Sequence, residues 1–255
     1  MKPTRGLLVL AGLACALAGC VTESSAPRPT VHLRTAARDN VTMGMIYLRR
    51  RERTLAMHSF ERALKLDPRS VGAHDGLALL NVELGRNSIA NQLYRQALSI
   101  RPRDPLTLNA YGVFLCHTNQ IRKGVAYLLQ AGRTASYLTP EVAYTNAGIC
   151  ELRLHEVGAA RRSLRRALSF DHNYPPALWQ LAKIERQAHH LHRAARHLLQ
   201  LADLGPRPAP EVLWLLIRTE WALGTDQVAR RYGAILLRDY PGSPEALAFL
   251  RHPGP

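Results

Sequence analysis

The sequence predicts an all-α solenoid built from about six helix–turn–helix units. The main observation is a recurring pattern: a small residue, then four positions later a large apolar residue in all copies but the last, and usually an alanine three positions after that. Six copies of this pattern follow one another at spacings of 34, 34, 36, 34 and 35 residues, opening at Ala56, Ala90, Gly124, Ala160, Ala194 and Ala229. Prolines follow four of the copies, and Gly85, Asn119 and Gly224 stand where a turn inside the unit belongs. A generic helical bundle with a chance period is the alternative, and the regular spacing disfavours it.

Each unit is expected to be a pair of antiparallel helices that buries its apolar face only by stacking on its neighbours. A small residue in the middle of the first helix lets the second helix approach closely. The proline ends the second helix, because it lacks an N–H group and restricts the residue before it. The predicted units lie near residues 37–70, 71–104, 105–138, 141–174, 175–208 and 210–243.

This pattern resembles the tetratricopeptide repeat. The resemblance implies a right-handed superhelical solenoid over residues 37–255, in which the first helices of the units line a concave face.

The first twenty residues read as an export signal. Lys2 and Arg5 precede a short apolar stretch at residues 6–18, which is too short for a comfortable membrane span. The ending Leu-Ala-Gly-Cys20 resembles the lipobox of bacterial lipoproteins. That resemblance implies a signal peptide over residues 1–19, cleavage before Cys20, and acylation of Cys20. Residues 20–36 are then expected to form a flexible tether, because they lack an apolar period and contain two prolines. By the same resemblance, Val21 in place of an aspartate implies the outer membrane, with the protein facing the periplasm. An ordinary secretory signal cut elsewhere is the alternative.

The composition excludes several classes of protein. Hydrophobic residues make up 47% of the 255 residues, which excludes wholesale disorder. The net charge is +15, carried by 30 Arg and only 4 Lys. A nucleic acid, an anionic lipid or an acidic partner would fit such a charge. No block of five or more basic residues occurs, which favours arginines spread over solvated helix faces and gives no reason to expect a nucleic-acid partner.

The sequence contains no catalytic arrangement. Phosphate-binding loops, nucleophile elbows and zinc-ligand spacings do not occur, so we expect no enzyme, no cofactor and no metal. Four histidines cluster near the turn of the fifth unit: His189, His190, His192 and His197. No acidic residue or cysteine is interleaved with them, which favours a solvated turn and an exposed helix face over a metal site.

Two cysteines lie in the first helices of adjacent units, Cys116 in the third and Cys150 in the fourth. First helices of neighbouring units run side by side, and export places them in an oxidising compartment. A disulfide is therefore favoured, with two buried free thiols as the alternative.

The concave face is expected to be apolar in the early repeats, where it suits an amphipathic helix or an extended segment of a partner. The candidate partner-binding residues are Val41, Met45, Tyr47, Leu48, Leu79, Val82, Asn109 and Val113, and Cys116 faces the same way. The late repeats present a different, aromatic and cationic set: Trp179, Lys183, Arg186, Trp214, Arg218 and Trp221. Some of these residues are expected to belong to the core between repeats. The lysines and asparagines that clamp a carboxylate in chaperone-binding repeats are missing, which disfavours a free chain terminus as the ligand.

Three strings point to a narrower family. They are Asn-Ala-Tyr-Gly-Val-Phe-Leu-Cys ending at Cys116, Asn-Ala-Gly-Ile-Cys ending at Cys150, and Tyr-Pro-Gly-Ser-Pro-Glu over residues 240–245. With the lipobox and six repeats, the chain resembles the PilF/PilW pilotins of type IV pilus biogenesis. An alanine at 110 replaces a second asparagine common in that family, and the chain is unusually basic.

The resemblance implies an outer-membrane lipoprotein, delivered by the lipoprotein-sorting machinery, that has no chemistry of its own. It would bind the PilQ-like secretin subunit and promote its placement and multimerisation, with the early concave face as the docking site. Cys116 and Cys150 match the paired cysteines of the family. The alternative is another tetratricopeptide lipoprotein that scaffolds outer-membrane protein assembly or recruits cell-wall hydrolases.

Overall fold

The computed structural model describes residues 29–252 and residue 254. Within that part of the chain all regular structure is helical, which confirms the predicted all-α class. The helices are α1 (Pro29–Arg49), α2 (Arg53–Leu66), α3 (Val71–Glu83), α4 (Asn87–Ile100), α5 (Pro105–His117), α6 (Ile121–Arg133), α7 (Pro140–Arg153), α8 (Val157–Leu168), α9 (Pro175–Gln187), α10 (Leu191–Asp203), α11 (Pro210–Ala222), α12 (Asp226–Asp239) and α13 (Pro244–Arg251).

Helices α1 to α12 form six antiparallel pairs, and each pair stacks on the next along the chain. The odd-numbered helices are the first helices of the units. Neighbouring first helices touch one another from α1 through α9, whereas contacts between successive second helices are weaker or missing among the described residues. The first helices therefore form the inner, concave layer of a solenoid, and the second helices form the outer layer.

Local signals explain where the first helices begin. The side chains of Ser70 and Asp104 cap α3 and α5 by accepting hydrogen bonds from the backbone N–H groups of Ala73 and Thr107. Proline occupies the first turn of α5, α7, α9, α11 and α13, where its missing N–H group costs nothing. Each cap or proline thus favours the start of a new helix directly after the previous unit ends.

Small residues in the first helices accommodate large residues of the second helices, as the repeat pattern predicts. Phe60 of α2 is completely buried between Gly44 of α1 and Gly76 of α3. A Cβ atom on either glycine would lie 2.5 Å or less from the Phe60 ring. The pair Gly112 and Leu128 repeats this contact in the third unit. In the first and third units the two helices therefore approach more closely than larger side chains would allow.

Every turn inside a helix pair contains one residue in the left-handed region of backbone space. Gly85, Asn119 and Gly224 hold three of these positions, as predicted. The other three are Arg51, His155 and His189, with φ of 62°, 59° and 56°. These side chains are exposed, so the left-handed turn conformation occurs here without a glycine and without burying a side chain.

Two boundaries differ from prediction. Helix α1 begins at Pro29, so residues 29–36, predicted as the end of the tether, are helical. Pro29 occupies the first position of the helix, where proline is favourable, and Ala37 on the same helix is buried. Helix α13 follows the sixth unit and covers its end, with Ala246 and Phe249 buried. The predicted signal peptide and Cys20 lie outside the described residues, and no described helix is long and apolar enough to cross a membrane.

Candidate protein-binding surface

A disulfide joins Cys116 of α5 to Cys150 of α7, with the two Cα atoms 6.1 Å apart. It links the third unit to the fourth within an apolar cluster that includes Ile121 and Leu128. Gly124 of α6 lies so close that an added Cβ would be 2.6 Å from the Cys116 sulfur. Because Cys116 is only 2% exposed, it belongs to the core, and the expectation that it faces the groove is wrong.

The candidate partner-binding residues of the first two units lie together on α1 and α3. Val41, Met45, Tyr47 and Leu79 are half-buried, and they pack against the core cluster around Phe60. Leu48 is different, because only 8% of it is exposed and it forms part of that cluster. The expectation that Leu48 contacts a partner is therefore wrong: it occupies the last inward position of α1, which the next helix covers.

Val82, Asn109 and Val113 continue this half-buried surface onto α3 and α5. Asn109 is held in place, because its Oδ1 atom accepts a hydrogen bond of 3.0 Å from the Asn146 Nδ2 group of α7. We call the seven residues that retain exposure the early concave face: Val41, Met45, Tyr47, Leu79, Val82, Asn109 and Val113. The surface is mainly apolar and contains one anchored amide, which suits a peptide segment that offers apolar side chains and a backbone carbonyl.

The late concave face is aromatic and cationic, and the structure brings its predicted residues together. The Trp214 and Trp221 rings meet edge to face with centres 5.8 Å apart. The Lys183 ammonium lies 5.4 Å from the centre of the Trp179 ring, and the Arg218 guanidinium lies 5.9 Å from that of Trp214. These distances are those of cation–π contacts.

The cations of this late face lack carboxylate partners. Burial lowers the pKa of Lys183, while burial and the neighbouring Arg218 charge lower that of Arg186. Within the described residues no carboxylate lies within 4.0 Å of the charged groups of Lys183, Arg186 or Arg218. The charge of this region is therefore uncompensated, in contrast to the apolar early face.

A buried carboxylate beneath the histidine cluster was not predicted. Glu185 is 1% exposed and accepts hydrogen bonds from Arg161 Nε at 2.9 Å and from His190 Nδ1 at 2.7 Å. Burial would raise the pKa of Glu185, but the hydrogen bond from His190 and the charge of Arg161 outweigh it and hold the pKa below its usual value. His197 is half-buried, so the prediction of an exposed helix face is wrong for that residue, and burial lowers its pKa.

A half-buried acid lies between the second and third units. Asp75 of α3 accepts a hydrogen bond of 2.6 Å from the Thr107 hydroxyl of α5. The same hydroxyl lies 3.1 Å from the Asp104 carboxylate. Burial raises the pKa of Asp75 to about 7, although the Thr107 hydrogen bond opposes this effect. Sequence spacing offers no signal for such a pair, because 32 residues separate Asp75 from Thr107.

In the described chain, no group of three or more His, Cys, Asp or Glu side chains is arranged to hold a metal ion. The early and late concave faces are curved and half-buried, and they can bind a protein segment.

Comparison with known proteins agrees with this architecture. The tetratricopeptide-repeat family matches residues 41–105 and 180–244, half of the chain. "Type IV pilus assembly protein PilF" from Pseudomonas aeruginosa PAO1 is 29% identical over 239 residues, which cover 93% of this chain and 94% of that protein. The crystal structure of PilW, described as a widely conserved type IV pilus biogenesis factor, is 32% identical with a TM-score of 0.72 and covers 84% of this chain and 98% of its own. The structure of Pseudomonas aeruginosa PilF is 26% identical with a TM-score of 0.75 and covers 86% of this chain and 99% of its own.

The chain therefore belongs to the tetratricopeptide-repeat family. Within that family it is a homologue of the type IV pilus proteins PilF and PilW, as the strings around Cys116 and Cys150 predict.

Proposed function

We propose that this protein is an outer-membrane lipoprotein that acts as a pilotin in type IV pilus biogenesis. It binds the secretin subunit in the periplasm and promotes placement and multimerisation of the secretin in the outer membrane. The observation that carries the proposal is the similarity to PilF along 93% of the chain, with PilW sharing the fold at 32% identity. The protein acts by binding and has no chemistry of its own.

Membrane attachment in this proposal comes from Cys20. Each buried CH₂ group of an acyl chain contributes about 0.8 kcal/mol, so several chains on one residue hold the protein on the membrane. Cys20 lies only nine residues before the start of α1. The solenoid is thereby kept close to the periplasmic surface of the outer membrane.

Secretin docks on the early concave face in this proposal. That face is mainly apolar, and Asn109 offers an amide held by Asn146. Binding to a membrane-tethered protein raises the local concentration of secretin subunits, which favours ring assembly.

The test is the amount of detergent-resistant secretin multimer on gels of cells that lack this protein. We expect multimers to vanish in the deletion strain and to return with the wild-type gene. A strain carrying Cys20→Ala should form fewer or misplaced multimers, because the protein is then unanchored. Unchanged multimers in the deletion strain would overturn the proposal and favour a scaffold for outer-membrane assembly or cell-wall hydrolases.

The docking surface has a test of its own. Met45→Lys and Val82→Lys place a charge on the early concave face, and Ile89→Lys places the same charge on a 47% exposed position of the outer helix α4. We expect the first two variants to lose co-purification with secretin and Ile89→Lys to retain it. Asn109→Ala, a milder change, should weaken binding with little effect on thermal stability. Equal retention by all four variants would place the docking site elsewhere.

A further inference from the structure

An arginine-lined cavity of about 780 Å³ opens at one edge of the solenoid. Arg34 and Arg38 reach it from one face of α1, where they are one turn apart. Arg69 comes from the connection between α2 and α3, and Arg101 from the end of α4. Four arginines from three separate parts of the chain therefore converge on one concave surface.

The positive charge of this cavity is mostly uncompensated. Arg101 is paired with Asp104 at 3.0 Å. Asp67 is the one carboxylate that lines the cavity, and its Oδ1 atom accepts a hydrogen bond from the backbone N–H of Arg69. Between residues 29 and 252, no carboxylate lies within 4.0 Å of the guanidinium groups of Arg34, Arg38 or Arg69. The cavity therefore favours an anionic ligand. The Asp67 carboxylate would repel a negative charge placed next to it, so the anion should bind beside the arginines instead.

The fold places this cavity at the edge of the solenoid from which the chain enters. In an antiparallel helix pair, the start of the first helix and the end of the second lie at the same edge. The connections between units therefore share that edge with the start of α1, and two of them carry the further arginines Arg103 and Arg207. Cys20 and Pro29 are nine positions apart, a stretch of chain that can span no more than about 32 Å.

We propose that this cavity binds the phosphate of an anionic phospholipid headgroup and holds the solenoid with this edge toward the membrane. Guanidinium groups match phosphate oxygens with paired hydrogen bonds, which makes arginine well suited to this ligand. The proximity of the membrane rests on the acylation of Cys20 in the proposed function, but the binding chemistry does not. Such a contact would fix the orientation of the concave face relative to the membrane. An acyl anchor nine positions before α1 limits the distance from the membrane but not this orientation.

The experiment uses the mature chain from residue 20 onward with Cys20→Ala, so that neither the apolar signal segment at residues 6–18 nor acylation contributes. Flotation is measured with vesicles of phosphatidylcholine alone and with vesicles that contain phosphatidylglycerol as well. The variant is Arg34→Gln/Arg38→Gln. The control is Arg193→Gln/Arg196→Gln, which removes the same charge from two exposed positions of α10 at the other end of the solenoid.

Each basic side chain near an anionic surface strengthens attachment by about fivefold. We therefore expect the Arg34/Arg38 variant to bind phosphatidylglycerol vesicles about 25-fold more weakly, and the control to lose less than about threefold. Both should melt at the wild-type temperature, because all four side chains are exposed.

Three results would overturn the proposal. Equal losses in the two variants would mean that only the overall charge attracts the protein to vesicles. Equal binding to both kinds of vesicle would show that the headgroup charge is not recognised. Inhibition of vesicle binding to the same extent in all variants by millimolar inorganic phosphate would assign the effect to ionic screening. None of these results depends on secretin, so the proposed function is tested separately.

Discussion

At the scale of single residues, the contact between Asp75 and Asp104 is governed by one proton. The Thr107 hydroxyl carries a single hydrogen, yet it lies within hydrogen-bond distance of both carboxylates. Asp104 keeps two other donors when it is ionised, the Thr107 backbone N–H and the Arg101 guanidinium. The Asp75 Oδ1 atom has no hydrogen-bond partner, so an ionised Asp75 competes with Asp104 for the one hydroxyl hydrogen. If Asp75 is protonated, it donates to Thr107, and Thr107 donates to Asp104. This arrangement and the burial of Asp75 both favour the neutral acid.

The first prediction concerns the pH dependence of stability. The pKa of Asp75 is about 7 in the folded protein, compared with 3.8 for an aspartate in an unfolded chain. The folded state therefore binds this proton more tightly than the unfolded state. The resulting stability is fully present below pH 4 and is lost as the pH rises toward 7. We expect Asp75→Asn, which mimics the protonated acid, to remove this loss. Relative to wild type it should gain up to about 4 kcal/mol in unfolding free energy between pH 4 and pH 8.

Urea unfolding of wild type and Asp75→Asn across this pH range measures the difference between their unfolding free energies. The contributions of the other titrating groups are the same in both proteins and cancel in this difference. Asp203→Asn, at an exposed carboxylate, is the control and should follow the wild-type profile. Parallel profiles for wild type and Asp75→Asn would contradict the prediction.

The second prediction concerns the left-handed turns. Gly85 has φ of +71°, and a Cβ atom there would meet nothing within 4 Å. Gly85→Ala should therefore lower the unfolding free energy by about 1 kcal/mol through backbone strain alone. Gly205 is equally open but lies outside the left-handed region, so Gly205→Ala should be neutral or slightly stabilising. Equal effects in chemical denaturation would show that the turn does not impose its conformation.

Sequence reasoning succeeds at single residues when the residue type itself carries the signal. Glycine or asparagine marked three of the six turns, whereas Arg51 and His155 adopt the same conformation without any such mark. The sequence gives no sign of the hydrogen bond between Arg161 and Glu185, because the two residues lie in different units of the solenoid. The same holds for the hydrogen bond between Thr107 and Asp75. Such contacts depend on how far each unit is rotated relative to the next. The sequence period does not determine that rotation.

At the scale of helices, α5 and α6 approach each other backbone to backbone. A Cβ atom on Gly124 would lie 2.6 Å from the carbonyl oxygen of Gly112 and 2.9 Å from the backbone nitrogen of Cys116. Because backbone atoms cannot rotate away as a side chain does, the third prediction is that Gly124→Ala lowers stability by about 1–3 kcal/mol.

Gly158 of α8 is the matched control, since the nearest atom to its added Cβ is a flexible Arg162 nitrogen at 3.8 Å. Both substitutions gain the same intrinsic helix preference, so Gly158→Ala should stabilise by up to about 1 kcal/mol. Their difference in denaturant unfolding isolates the packing. Two stabilising substitutions would mean that α5 and α6 are further apart than described.

The fourth prediction concerns the disulfide between α5 and α7. Cross-linking Cys116 and Cys150 closes a loop with a sequence separation of 34 residues. Reduction should therefore lower the unfolding free energy by roughly 3–4 kcal/mol. Alkylation of denatured protein followed by intact mass provides the direct test. We expect both thiols to be modified only after reduction; modification without reduction would show two free thiols.

The existence and spacing of the repeat helices followed from the sequence, because a proline, a cap or a small residue marks each unit. The ends of the solenoid did not follow. Pro29 lies in the predicted tether, but proline is also favourable at the first position of a helix, which is where the structure places it. Helix α13 has only eight residues and lies outside the repeat, so the period could not indicate it. The burial of Leu48 also could not be predicted, because its position in the repeat does not show how much of its side chain the next helix covers.

At the scale of the whole molecule, each unit contacts chiefly its neighbours, so a local defect should stay local. Phe249 of α13 provides a test at the end of the solenoid. It is 7% exposed, its ring is stacked on Trp221 with centres 5.7 Å apart, and it covers Gly233 of α12. Phe249→Ala removes the side chain that closes the final unit, at a cost of about 3 kcal/mol.

The fifth prediction is that Phe249→Ala speeds amide hydrogen exchange in α11, α12 and α13 and leaves α3 through α8 unchanged. Those inner helices are buried by units on both sides, and the disulfide between α5 and α7 holds their centre together. Leu250→Ala, at a neighbouring residue that is 58% exposed, should leave exchange unchanged throughout. A uniform increase in exchange along the whole chain would instead mean that the solenoid unfolds as one cooperative unit, so that a weakened end destabilises the early concave face as well.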